Sequence, residues 1–289
     1  MNIQEYKISN MKSFELDHIF ECGQCFRWNE EEDESYTGII KYGILNVRKE
    51  NQNIVFRGKL TKDIKDVVEE YFDFSTDYEF IKEKLSKIDN NMKTSVEYGY
   101  GIRILKQDLW ECIISFIISA NNNIPRIKGI IDRMSKKCGK RIEFEGKEYF
   151  LFPTVEELAK LSVEDLRNLG LGFRDKRIYN TTKMILEKEV DLMYLENIDD
   201  TIKIREELLK LDGVGPKVAD CIMLFSLKRF DVFPIDVWVR RVMNDLYIKS
   251  ADENKVDKKQ LNRLAEEKFG NISGLAQQYL FYWRRELEK

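Results

Sequence analysis

The chain holds a single histidine, His18, in 289 residues. That scarcity excludes a multi-histidine metal site and leaves no imidazole late in the chain for a Ser-His-Asp or Cys-His engine. Proline is rare too: the four residues, at 125, 153, 216 and 234, each fall where a helix could start. There is no long apolar run. The best, Cys112 to Ala120, is nine residues, against the about 20 that a membrane span requires. Met1 to Glu5 show no basic stretch leading into an apolar core, so no signal peptide is expected. The five cysteines (22, 25, 112, 138 and 221) are an odd, sparse set that reads as reduced thiols in a cytoplasmic protein. Cys22 and Cys25 form one CxxC, but no second pair or ligand cluster completes a four-coordinate zinc site, so no metal is expected there. Neither sign of charge dominates: 48 basic and 51 acidic residues give a net charge of −3. The overall field therefore does not point to nucleic acid, and any basic surface must be local.

What the chain does have is 43% hydrophobic and 34% charged residues, which fits a globular protein and not a disordered one. Residues 1 to about 60 are rich in β-formers punctuated by turn signals. Short antiparallel strands are expected at Cys25–Trp28, Tyr36–Ile40, Ile44–Val47 and Ile54–Arg57, with an acidic hairpin loop at Asn29–Ser35. The period turns helical from about residue 61. After Gly101 apolar residues recur at helical spacing, as in Leu109, Cys112, Ile113, Phe116 and Ile117, so helix after helix is expected. Thr154-Val155-Glu156-Glu157 and Ser162-Val163-Glu164-Asp165 carry helix-start signatures. The fold class is α+β: an N-terminal antiparallel sheet with helices over 1–100, then a mainly helical region over 101–289.

Charge is uneven along the chain. Residues 96–141 carry nine Lys or Arg against four acids, a local +5. Alone, such a segment is ordinarily a solvated helix face.

The segment from Leu208 to Cys221 is the most informative. A helix from about Thr201 runs to Leu211, Gly213-Val214-Gly215 makes a tight hairpin, and a new helix begins near Pro216, so that a helix-hairpin-helix occupies about 201–227. Gly213 and Gly215 permit positive φ and close backbone approach. Exposed amides at the new helix's start favour an anion, which suits a DNA phosphate held without reading a base. The plainer alternative is an ordinary helical corner. Lys217 follows in the first helical turn, where the helix dipole and partial burial are expected to lower its pKa toward neutrality. An amine so tuned can attack an electrophilic carbon and form a Schiff base; alternatively it only pairs with phosphate. Nineteen residues on, Pro234-Ile235-Asp236 opens another helix. Asp236 can serve as its N-cap, and a carboxylate there can also stabilise positive charge on a sugar as its glycosidic bond breaks.

With these residues in place, the sequence resembles the helix-hairpin-helix, Gly/Pro-Asp superfamily of base-excision glycosylases, and within it the 8-oxoguanine DNA glycosylase/AP lyase family. The likeness runs over about residues 13–285. Glu21-Cys22-Gly23-Gln24-Cys25-Phe26-Arg27-Trp28 is similar to the family's GQxFRW. Ser119-Ala120-Asn121-Asn122-Asn123-Ile124-Pro125-Arg126, Leu169 to Arg174 and Ala276 to Phe281 match in order.

The resemblance implies extrusion of the damaged nucleotide from the duplex into a pocket. Lys217 is then the nucleophile at C1′ and Asp236 its electrostatic partner, with β-elimination of the 3′ phosphate following. It also implies that the Gly23 carbonyl accepts the N7 proton of 8-oxoguanine and rejects guanine, whose N7 carries a lone pair. Gln277 bonds the Watson–Crick edge, Phe281 and Cys221 face the base, and Pro234 lies at the same pocket. Asn121, Arg126 and Arg174 hold the opposite cytosine, Phe173 is the wedge, and Gly213 and Gly215 take phosphate. The +5 segment becomes a DNA-facing surface. No cofactor is implied beyond a monovalent cation on the hairpin carbonyls (about 209–214). The expected partner is double-stranded DNA containing 8-oxoguanine, for a monomer in the cytoplasm, nucleoid-associated in a prokaryote, with no membrane role. Trp238, Phe225 and Phe173 depart from the histidine, methionine and tyrosine common in eukaryotic members, touching one phosphate contact and opposite-base selectivity. Alternatives are a sister glycosylase for another damaged base, or a non-catalytic DNA-binding module. The iron–sulfur type of sister is disfavoured because no cysteine follows Cys221.

Overall fold

The computed structural model describes residues 2–252 and 256–287. Strands β1 (Ile3–Ser9), β2 (Trp28–Glu30), β3 (Tyr36–Ile40), β4 (Gly43–Glu50) and β5 (Asn53–Leu60) form one antiparallel sheet in the order β1-β5-β4-β3-β2. Its apolar face closes over the short helix α1 (Leu16–Phe20) and α2 (Ile64–Tyr71). Trp28 anchors that core. It stacks on Phe20 at 4.1 Å and donates its indole N–H to the Tyr71 hydroxyl at 2.9 Å. It also lies flat on Gly38, its partner in β3, where a Cβ would fall 2.2 Å from the ring. Residues 25–27, expected as strand, instead bend, and the strand starts at Trp28. The reason is that Cys25, Phe26 and Arg27 are all buried, so the stretch runs through the interior without the in–out alternation of a half-exposed strand.

Helices α3 (Tyr78–Ser86) and α4 (Asn90–Tyr98) follow the sheet. Their apolar side chains, among them Leu85, Met92 and Val96, join the larger helical core rather than that of the sheet. Next come α5 (Leu109–Ser119) and α6 (Ile124–Cys138), the latter capped by Asn123 with Pro125 in its first turn. The expectation of unbroken helix is then corrected. Strands β6 (Arg141–Phe144) and β7 (Lys147–Phe150) form a hairpin, because Arg141-Ile142-Glu143-Phe144 alternates out and in. Glu145 and Gly146, at φ 49° and 75°, supply the left-handed turn. Thr154 and Ser162 make reciprocal capping boxes for α7 (Val155–Leu158) and α8 (Val163–Leu166).

The remaining helices are α9 (Asp175–Leu186), α10 (Leu192–Asn197), α11 (Thr201–Leu208), α12 (Pro216–Leu227), α13 (Val237–Met243), α14 (Lys258–Phe269) and α15 (Ser273–Leu287). α12 packs along α5, and α15 along α4 and α13. The chain is therefore α+β: an antiparallel sheet unit followed by a mainly helical one. Among the described residues no helix is long and apolar enough to cross a membrane.

Candidate active site at the hairpin helix

α11 stops at Leu208, and a turn carries the chain through Leu211 to the hairpin. Of the two glycines only Gly213 has a positive φ, 88°. A Cβ there would lie about 3 Å from the Arg177 stem and Ile117. Gly215 sits at φ −96° as the N-cap of α12, with open space around it. Its value is therefore access to the first amides of the helix, not an unusual dihedral.

Lys217 lies in the first turn of α12, with Cys221 one turn on. Both side chains line a small cleft with Asp236. Asp236 caps α13 by accepting from the Val239 amide at 2.7 Å. Pro234, buried just before that cap, sits at the same cleft. Other lining residues come from far off in sequence: Gly23 from the loop after α1, and Gln277 and Phe281 from α15. All seven residues expected at the reacting base and sugar thus share one cleft. Phe116 and Phe225, stacked at 5.5 Å, also line it, and the Lys217 ammonium lies 5.7 Å from the Phe116 ring. Phe116 was legible only as core, since its helical spacing is that of any buried face.

The expected depression of Lys217 is overturned. The hydrogen-bonded Cys221 sulfur, with Asp236 behind it, holds the ammonium above the ordinary lysine range, against burial that would lower it. Burial also pushes the Cys221 thiol up to about 11. At neutral pH Cys221 is therefore an uncharged thiol, and what then acts on the ammonium is burial, the stronger influence, opposed by the weaker attraction of Asp236. Gln277 is 5% exposed and its carbonyl oxygen has no partner among the described residues. An unpaired buried acceptor costs free energy, so the site is built to receive a donor.

A second group of expected residues lies outside the cleft. The turns 120–126 and 169–174 are tied together by Arg174, only 1% exposed, which donates to the Ala120 and Asn121 carbonyls at 3.0 and 2.8 Å. Arg174 thus braces this turn, while Asn121 and Arg126 remain exposed beside it. Phe173 projects at 56% exposure with the Arg174 and Arg177 guanidinium groups 4.2 and 5.3 Å from its ring. The +5 segment does not form one free surface. Arg103 is buried on main-chain carbonyls, and Lys106 pairs with Glu70 at 2.6 Å.

The 8-oxoguanine DNA glycosylase N-terminal domain matches residues 7–113, and the HhH-GPD superfamily of base excision DNA repair proteins matches residues 114–270. The chain belongs to the 8-oxoguanine DNA glycosylase family. A probable N-glycosylase/DNA lyase of Methanothermobacter thermautotrophicus is 32% identical over 240 residues, covering 76% of this chain and 74% of that protein. The N-glycosylase/DNA lyase of Saccharomyces cerevisiae is 31% identical over 309 residues, covering 92% and 82%. The crystal structure of Clostridium acetobutylicum 8-oxoguanine glycosylase/lyase, in complex with double-stranded DNA containing cytosine opposite 8-oxoG, is 43% identical. It superposes with a TM-score of 0.93 over 100% of this chain and 99% of that one.

Proposed function

We propose that the protein is a bifunctional DNA repair enzyme, a DNA N-glycosylase and AP lyase that excises 8-oxoguanine from double-stranded DNA. The observation that carries this reading is the convergence of Lys217, Asp236, Gly23, Gln277 and Phe281 on one cleft, in a member of this family. A non-catalytic module would have no reason to pair Lys217 with Asp236 there.

The hairpin binds the backbone through the amides beside Gly215, and the flipped base enters between Phe281 and Cys221. Asp236 is the carboxylate that steadies positive charge on the sugar as the glycosidic bond breaks. The Lys217 amine, once deprotonated, donates its electron pair to C1′ and the base leaves with the bonding pair. The adduct opens to a Schiff base, loss of a C2′ proton drives out the 3′ phosphate, and water releases the lysine. The unpaired Gln277 oxygen supports its role as acceptor at the base's Watson–Crick edge, and the lining position of Gly23 supports its carbonyl as acceptor for N7–H. Asn121, Arg126 and Phe173 face the opposite strand, with Arg174 bracing them. Leu209 and Val214 carbonyls have no hydrogen-bond partner among the described residues, and Leu211 accepts only from Val214. These oxygens suit a monovalent cation that bridges to phosphate. The protein acts as a monomer in the cytoplasm, wherever the chromosome is reached.

Borohydride is expected to trap a covalent adduct with a duplex carrying 8-oxoguanine opposite cytosine. Lys217→Gln is expected to abolish the adduct while duplex binding survives. Excision by the unmodified protein with no trappable adduct overturns the lysine chemistry.

A further inference from the structure

Residues 21–24 form the loop that brings Gly23 to the cleft, and their carbonyls are treated unequally. The Glu21 carbonyl accepts from the Arg285 guanidinium. The Cys22 carbonyl accepts from the Gln278 amide at 2.6 Å, and that of Gln24 from the Gln107 amide at 2.8 Å. Gly23 alone in this run offers a carbonyl with no partner among the described residues. The Gln24 side chain is itself fully buried and spends both ends on the main chain. It donates to Ile19 and Arg103 at 2.8 Å and accepts from the Leu105 amide at 2.8 Å.

Arg285 does more than hold Glu21. Its guanidinium sits 5.4 Å from the Phe281 ring, and one of its terminal nitrogens, buried and unpaired, lies 3.3 Å from where a Cβ on Gly23 would stand. Gly23 is required as glycine by its backbone. Its φ of 87° is left-handed, and a Cβ there would press lightly on the Arg285 guanidinium at 3.3 Å and touch the Phe281 ring at 3.4 Å.

We propose that Arg285 and Gln278, reaching back from α15, are positioning residues that occupy the neighbouring carbonyls and hold the Gly23 carbonyl out as the single acceptor for the N7–H of 8-oxoguanine, so that they set discrimination against guanine. Neither touches the reacting atoms. A loop free to rotate its peptide planes could turn the Gly23 carbonyl away and present an N–H to the lone pair at N7 of guanine, so the clamp removes the conformers that accept the wrong base. This rests on the reading of Gly23 given above.

The test measures equilibrium binding of Lys217→Gln protein, which cannot turn over, to duplexes with 8-oxoguanine, guanine or an abasic-site analogue opposite cytosine. Arg285→Met and Gln278→Met are each added to that background, with thermal midpoints recorded. Each is expected to lower the affinity ratio of 8-oxoguanine over guanine roughly three- to tenfold, the usual worth of one such hydrogen bond. Affinity for the abasic duplex is expected to hold. Arg285→Lys, which keeps one donor near Glu21, is expected to recover part of the ratio. An unchanged ratio, or all three affinities falling in parallel, overturns the clamp. If the parent protein itself does not distinguish 8-oxoguanine from guanine, it is the Gly23 reading that fails, and the clamp falls with it.

Discussion

Asp236 carries two duties that can be separated. It caps α13 through the Val239 amide, and its charge faces Lys217 across the cleft. Asparagine caps helices about as well as aspartate but carries no charge. Asp236→Asn is thus expected to keep the thermal midpoint and duplex affinity while slowing base release on the order of a hundredfold or more, the scale of losing one preorganised electrostatic group. Single-turnover excision checks this, and near-normal turnover sinks the role. Lys217 titrates above its ordinary range, so little free amine exists at neutral pH. The single-turnover rate should therefore climb as pH rises from neutral into the alkaline range, where the nucleophilic form grows; a flat profile would show that the amine is not limiting. That a lysine stands in a helix's first turn was legible in the sequence. The direction of its pKa was not, because the sulfur one turn on and the carboxylate from the next helix act through space.

The hairpin is an element whose two glycines do different work. Gly213→Ala places a Cβ in a left-handed position about 3 Å from Arg177 and Ile117. It is expected to weaken binding to damaged and undamaged duplexes alike, with a shallower salt dependence, because phosphate contacts supply affinity without reading bases. Gly215→Ala meets open space at an ordinary φ and should cost far less stability. Titrations of both duplexes across salt concentrations check the pair; a loss confined to the damaged duplex contradicts the phosphate assignment. Boundaries of such elements were readable where the signal is chemical and local: Pro216 at the start of α12, Asn123 before α6, the two capping boxes. The β6–β7 hairpin was lost among helical signals because four alternating residues make too short a period to stand out.

At the scale of the whole molecule, the sheet unit and helical unit meet around buried charge. Arg27 faces Glu111 of α5 at 3.8 Å, and burial pushes the Glu111 carboxyl up to about 7. A carboxyl whose folded pKa lies above its unfolded one contributes stability in full below the unfolded value, near 4.5, and loses it as pH rises through about 7. Relative to Glu111→Gln, which cannot ionise, the wild-type thermal midpoint is therefore expected to fall between about pH 5 and about pH 7.5. Parallel melting curves across that range contradict the assignment. The comparison is of slopes, since the substitution also removes the carboxylate that faces Arg27.

The chemistry that travels in short segments is written in the residues themselves. A hairpin with two glycines, a lysine beside it and a capping aspartate nineteen residues on are read locally, because caps, turns and helix starts are set by neighbours. The residues also set the α+β order, since the hydrophobic period changes from two to 3.6 near residue 61. Tertiary structure decided the pocket. Gln278 reaches a carbonyl 256 residues away, and only that contact shows which oxygens of the Gly23 loop are already taken. The resemblance assigns Arg174 to the opposite cytosine, and folding sets its guanidinium on main-chain carbonyls. Burial and hydrogen-bond satisfaction depend on which surfaces meet, and no local pattern of residues records that.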